Sequence, residues 1–526
     1  MPRGAGAHNN RRVRLFEVTL LLLAMALVLL QWARRLRVPY PSLLALGGVC
    51  VAAMPFAPRL SIDPRLALAL FVAPAVMDSA FELPPREMLR NWVPLVSLAV
   101  MLVLVTALVV AWLGVQLAGL PLAAALALGA IVAPPDAAAA SAVLREFELP
   151  RRAMSVLQGE SLLNDAVALL VFAIAVSIAM TPDRALAPLL PRMLIAVPGG
   201  ALLGVLIGRA AARIFKRIAG TVASIIAQFL VTFGTWILAD HLGLSPIIAV
   251  VGLAAVAAHD MPQRTSARDR INSNAVWVTV IFVLNVLAFL LMGLQAKAIL
   301  TTLQGPALKH ALAFAGLVLL AVIGARFAWV MAYGFAARRL RRWFEKRSVG
   351  AVPSVRVGVL VSWCGMRGLV TLATAFALPP EFPQRELIVL SAFTVVLGTL
   401  VLQGFTIRPL IAALQIAKDP SMDEEVAETR KAMLEAALAA LADESSAVAA
   451  ELRGEIGAMR LQSVGRSRPL TAYDRLRQRA LEAERRLLND HRQRGLIADD
   501  VYHHLEDELD RTELDVSSIE ASWLDS

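Results

Sequence analysis

Roughly the first 415 residues of the chain are a series of apolar stretches, mostly of about 17–28 residues, where ~20 apolar residues suffice for a helix to cross a bilayer. Lipid offers backbone groups no hydrogen bonds, so a spanning segment is a helix or belongs to a closed barrel. These stretches are too long for barrel strands and are rich in Ala, Leu and Val. They define an all-α polytopic membrane protein. Cys50 and Cys364, the only cysteines, both fall inside apolar stretches, so neither a metal cluster of standard spacing nor a disulfide is expected. The formal charge of +10 fits arginines gathered in loops on one side of a membrane, and no nucleic-acid partner is expected.

Hydropathy gives about thirteen spans, at roughly 15–33, 41–58, 65–83, 92–118, 121–146, 153–180, 187–212, 222–242, 244–259, 273–295, 308–335, 354–378 and 386–412. Loops after odd-numbered spans hold most of the arginines, including Arg34, Arg35, Arg86, Arg90, Arg151, Arg152 and the run "RRLRRWFEKR" at 338–347. The richer side is cytoplasmic by the positive-inside rule. That puts the N-terminus outside and the C-terminus inside, provided span nine ends near His259. Arg3, Arg11, Arg12 and Arg14 in the N-terminal tail argue the other way, but the summed loops outweigh them. The basic leader mimics a signal peptide; without a small-residue cleavage site, span one reads as retained.

The chain divides at about residue 415. Residues 1–415 form the transmembrane domain. Residues 416–526 carry many charges with apolar residues at helical spacing, and read as a helical cytoplasmic tail of a regulatory kind. Thr471 with Asp474 has the form of a capping box, and Gly495 that of a helix stop.

Ionisable residues deep in a span cost several kcal/mol each and usually mark a transport path or a relay. The candidates are Asp78 in span three, Asp136 in span five, Glu160 and Asp165 in span six, Arg326 in span eleven and Arg367 in span twelve. Two arginines can pair two of the four carboxylates. A carboxylate without a protein partner in lipid binds a proton or a cation, which is the minimum chemistry of a proton-coupled cation carrier. Each residue also has a plainer reading: Asn285 or Asp78 as a helix–helix contact, and Arg367 as a snorkelling side chain. In span six, Ser161 and Asp165 share one helix face, and Glu160 and Asn164 share the next.

Pro134 and Pro135 in "APPD" remove two backbone donors, so span five should unwind near 133–136. Gly365 and Gly368 around Arg367 make span twelve a second candidate break. The two spans are seven apart, and an odd offset reverses the direction of crossing. Broken helices at corresponding places in two inverted halves point to a midplane site. The repeats would cover about 15–180 and 222–412, with Asp136 and Arg367 offsetting the half-helix dipoles.

"GAIVAPPDAAAASAVLREFELPRRAMSVLQGESLLNDAVALLVF" and "SWCGMRGLVTLATAFALP" resemble the two signature segments of bacterial sodium/proton antiporters of the cation:proton antiporter-1 group, the NhaP-like proteins. "LFVAPAVMDSAFELPPREMLRNW" and "VLNVLAFLLMGLQ" are similar to two further segments. The resemblance implies thirteen spans, with a core of six helices moving against a dimerisation domain. It implies that Asp165 binds the ion and the proton, with Asn164 before it and Ser161 adding an oxygen. Asp136 falls on the aspartate of the unwound helix, and Asp78 and Pro135 fall at the ion shell. A sodium ion would be held by Asp165, Ser161 and Asp78. Glu160 would pair with Arg326 as a core bridge, and Arg367 matches the arginine of the second broken helix. Two departures stand out: Pro135 where the family usually has Thr, and Asp78 where it usually has Glu.

The expected function is secondary antiport of a monovalent cation, sodium first, against a proton. The expected setting is a homodimer in the bacterial plasma membrane, without a cofactor beyond the transported ions. Asn164 adds no second charge, so one-for-one electroneutral exchange is expected. The alternatives are a potassium/proton exchanger, and a cation channel or transporter-derived sensor. An intramembrane aspartyl protease would need a Gly-x-Gly-Asp type motif, which neither "APPD" nor "LLND" supplies.

Overall fold

The structure, a computed structural model, describes residues 5–36, 38–55, 63–82, 91–136, 144, 151–180, 189–218, 221–264, 267–301, 305–343, 354–416, 421–443, 446–462 and scattered positions between 483 and 505. The described residues are helical with no strand. They divide into two compact units, Met1–Ala417 and Lys418–Ser526.

In the first unit, α1 is Ala5–Leu36 and α2 is Tyr40–Ala53. Next, α3 is built of Pro64–Ala67, a π-helical turn at Leu68–Val72, and Ala73–Glu82. Similarly, α4 joins Trp92–Val96, a π-helical turn at Ser97–Met101, and Leu102–Ala118. Then follow α5 (Leu122–Val132), α6 (Arg151–Met180), α7 (Leu189–Ile218), α8 (Val222–His241), α9 (Pro246–Arg264) and α10 (Ala267–Leu294). After the short helix Ala296–Leu300 come α11 (Pro306–Trp343), α12 (Val355–Trp363), α13 (Leu369–Phe376) and α14 (Arg385–Leu414). Among the described residues, eight helices are long and apolar enough to cross a membrane, and Tyr40–Ala53, Leu122–Val132 and Pro246–His259 are shorter apolar helices. The protein is therefore a multi-pass membrane protein.

Local chemistry sets several of these ends. The Asp63 carboxylate accepts from the backbone N–H groups of Arg65 and Leu66 and caps α3. Ser354 Oγ accepts from the Val357 N–H at the start of α12. Gly119, at φ 61°, closes α4 in the left-handed region. Span two was expected to run to 58, but α2 stops at Ala53. Met54 is extended (ψ 146°) because the following residue, Pro55, disfavours the α region before it. Elsewhere helical hydrogen bonding outlasts the apolar stretch. The apolar part of α9 ends at His259 while the helix runs on to Arg264, and "ARDR" forms the first turn of α10.

Close helix crossings rest on glycine. Gly204 of α7 lies against α9, and a Cβ there would fall on the carbonyl oxygen of Ala249. Small residues allow this approach, and packing then replaces the hydrophobic force that lipid does not supply. Gly204→Val should lower stability by about 1–3 kcal/mol through overpacking. Thermal unfolding in detergent measures the effect, and an unchanged melting temperature would show that the seam can spread.

In the second unit, α15 (Ser421–Ala440) packs on α16 (Ala447–Gln462), and Arg453 donates to the carbonyl of Leu441 at 2.7 Å. The expected cap at Thr471 and Asp474 and the stop at Gly495 lie outside the described residues.

Candidate functional site

The centre of the site is α6, where four polar residues fall within two turns. Its two faces do different work. On one, Glu160 meets Arg326 of α11. Arg326 Nη2 donates to Glu160 Oε2 at 2.9 Å, and Nη1 donates to Oε1. Both side chains are 1% exposed. The guanidinium also donates from Nε (3.2 Å) and Nη2 (3.1 Å) to the carbonyl of Val361 in α12. One arginine thus ties together α6, α11 and α12, and a planar fork with five N–H groups suits that task. Still on α6, Asn164 is fully buried, and its Nδ2 donates to the carbonyl of Pro135 at 3.2 Å.

Two non-helical segments meet at this point. Helix α5 ends at Val132, and 133–136 are not helical. Between α12 and α13, Cys364–Gly368 are also not helical. The segments are bonded to each other: the Asp136 N–H donates to the carbonyl of Met366 at 2.7 Å. Arg367 donates from Nε to the Val132 carbonyl and from Nη2 to that of Ala133, each at 3.1 Å, and from Nη1 to Gly365. Those carbonyls close the C-terminal end of α5, where the helix dipole is negative, so a buried cation is well placed there. Asp136 sits at the opposite pole. A Cβ on Gly368 would land on the Asp136 carboxylate, so that carboxylate faces the N-terminal end of α13. Arg367 is thus held by carbonyls at the end of α5 and by that of Gly365.

The remaining expected residues are placed less directly. Asp165 is buried at 8% exposure, and Ser161 is half-buried one turn before it. Pro135, Asp136, Gln158, Glu160, Ser161, Arg326 and Cys364 are among the residues lining one cavity of about 20 Å³. That is room for one water or one bare cation, since a single water needs roughly 10–15 Å³ on this measure. Asp165 lies outside this lining, a turn further along α6. Asp78 is half-buried on α3, whose Val76 and Ala80 share a core with Leu162 and Ala166 of α6. Asn285 is half-buried on α10. The Pro135 carbonyl, expected to face the ion, has one lone pair engaged by Asn164.

Sequence reasoning missed the supports. The Arg367 N–H donates to Thr399 Oγ1 of α14 at 3.0 Å. Trp329, three residues past Arg326, donates from Nε1 to the Ser97 carbonyl (3.2 Å) and Oγ (3.1 Å), where the π-turn of α4 begins. A π-turn displaces the regular ladder and exposes a carbonyl to an outside donor. An indole with no obvious polar neighbour in an apolar helix was the available signal for it.

The fold and site define a multi-pass helical membrane protein built around a buried acidic centre, where the non-helical end of α5 meets the break between α12 and α13. Residues 20–413 match the sodium/hydrogen exchanger transmembrane family, and the chain belongs to that family. It is 32% identical over 418 residues to an uncharacterized Na(+)/H(+) exchanger of Mycobacterium tuberculosis, covering 77% of this chain and 76% of the relative. It is 30% identical over 425 residues to the sodium, potassium, lithium and rubidium/H(+) antiporter of Bacillus pumilus, covering 77% of this chain and 62% of that protein. In fold it is similar to the sodium proton antiporter MjNhaP1 of Methanocaldococcus jannaschii, with a TM-score of 0.58, 17% identity, and coverage of 75% of this chain and 97% of the other. Members of this family are transporters of cations and protons across a membrane, not enzymes.

Proposed function

We propose that this chain exchanges one monovalent cation, sodium first, for one proton, with Asp165 as the shared seat of both. The observation that carries the reading is the buried Asp165 beside Asn164, whose amide is bonded to the unwound chain at Pro135. With a proton or a cation aboard, the carboxylate is neutral and its helix bundle can be carried between the two faces. The empty carboxylate is charged and costly to move through a low-dielectric region, which enforces coupling. Ser161 and Asp78 supply further oxygens to a sodium ion, and Asp136 and Pro135 border the site. Glu160 with Arg326 is a structural bridge. Asp136 and Arg367 balance the helix ends. The ions are cargo, and no resident cofactor takes part.

Around this centre we place two inverted repeats, roughly 15–180 and 222–412, in a thirteen-span homodimer of the bacterial plasma membrane. The loop arginines support an outside N-terminus and a cytoplasmic, regulatory tail from 416 onward. A second reading, potassium against protons at the same site, is favoured by the name of the Bacillus pumilus relative, which includes potassium.

The test is fluorescence dequenching in proteoliposomes, with sodium, potassium and lithium added in turn. Because Asn164 contributes no charge, exchange should be electroneutral. An imbalance of one charge would bias the cycle by ~2.3 kcal/mol per 100 mV. The expected result is an initial rate that an imposed membrane potential leaves unchanged. A rate that follows the potential overturns one-for-one exchange, and cation flux without proton movement overturns antiport.

A further inference from the structure

Gln403 of α14 is fully buried, and neither its Nε2 nor its Oε1 has a hydrogen-bond partner among the described residues. Buried amides are nearly always bonded to protein or to ordered water, so this side chain requires an explanation. Its neighbours along the helix locate it. Thr399 Oγ1 accepts from the Arg367 N–H at 3.0 Å, and Thr406 Oγ1 accepts from Trp363 Nε1 at 2.9 Å. At 3.6 residues per turn, positions 399, 403 and 406 fall within about 60° of one another. The three share the face of α14 that lies along α12 and the interrupted segment after it. The two bonds also set an antiparallel register, 406 against 363 and 399 against 367. Gln403 therefore lies opposite Cys364 and Gly365, where the interruption begins.

We propose that Gln403 is the seat of an internal water between α14 and the interrupted segment, and that turnover depends on this water. An internal water takes about three hydrogen bonds. The amide supplies a donor and an acceptor, and unwound backbone supplies carbonyl and N–H groups outside any helical ladder. An apolar residue at 403 would fill the helix interface without serving that backbone.

The test is X-ray radiolytic hydroxyl labelling of the full chain in proteoliposomes, read by mass spectrometry at two buried methionines. Met366, in the interrupted segment, is 0% exposed, and Met292 of α10, the control, is 3% exposed. Only a bound water generates radicals beside a side chain so far from solvent. Met366 should label about tenfold faster than Met292 if an ordered water lies beside it. Gln403→Leu should bring Met366 down to the Met292 rate, while Gln403→Glu, which can still bond a water, should keep it. If the leucine variant does not fold, Gln403→Met serves as a near-isosteric apolar replacement. A wild-type Met366 no faster than Met292, or a rate indifferent to the apolar variants, overturns the water site. The effect on turnover rests on the exchange reading, whereas labelling reads the water whichever ion crosses. In the apolar variants Vmax should fall about tenfold, equivalent to 1.4 kcal/mol, with KM for the cation nearly unchanged. An unchanged Vmax overturns the role in turnover.

Discussion

Asp165→Asn should reduce cation-driven proton movement to the level of empty vesicles. Asparagine matches the aspartate in shape, so the helix and the packing of its Leu162 and Ala166 against Val76 and Ala80 of α3 persist. What disappears is the charge for which, on the proposed exchange, sodium and the proton compete. An amide neither takes a proton near neutral pH nor neutralises a cation in a buried site, where an unpaired ion costs several kcal/mol or more. Asp165→Ala should give the same loss by removing the oxygens altogether. The measurement is dequenching of a proton-sensitive dye in proteoliposomes, with protein yield and melting temperature recorded in parallel. Full exchange from either variant would move the seat of the ion away from Asp165.

The second large effect belongs to stability. In Arg326→Met, Glu160 would stay behind at 1% exposure without its cation, and the Val361 carbonyl would lose two donors. Removing one partner of a buried ion pair costs about 3–5 kcal/mol, because the survivor is an uncompensated charge. Arg326→Met should therefore melt well below the wild type in detergent, followed by fluorescence-detected size exclusion. Adding Glu160→Gln removes the stranded charge, so the double variant should melt above Arg326→Met alone. If Arg326→Met melts with the wild type, the bridge is dispensable. If the double variant melts with the single one, the stranded charge is not the cause of the loss, and the bonds to Val361 carry it.

The sequence makes some parts of this molecule plain and leaves others hidden, for physical reasons. Lipid imposes a minimum apolar length, so the positions of most helices follow from composition. Two prolines in "APPD" and two glycines around Arg367 disclose the non-helical segments, since both residue types act on the backbone locally. Glu160 and Arg326 are each too costly in lipid to stand alone, so a partner was demanded, and the family resemblance supplied it. What the sequence conceals is whatever depends on a partner far along the chain. Thr399 reads as one more threonine in an apolar helix until the Arg367 N–H is seen against it. The π-turns at Leu68–Val72 and Ser97–Met101 carry no proline or glycine within them to announce them. The carbonyls that hold Arg367 are hidden for a related reason. Charge counting finds carboxylates, whereas the carbonyls that end a helix are visible only once the end is located.

The bonding between the two non-helical segments has a consequence for leakage. Asp136 is bonded to Met366, and Arg367 to Val132 and Ala133, so each strand of unwound chain supplies hydrogen-bond partners to the other. Separating them would strand a guanidinium and several peptide groups in oil at once. The pair therefore behaves as a single plug, and no aperture opens through its middle while those bonds last. On the exchange proposed above, cargo would travel with the plug rather than slip through it. Damage to this bonding should show itself as ions that run downhill without returning a proton, a fault distinct from the silence expected when Asp165 is lost.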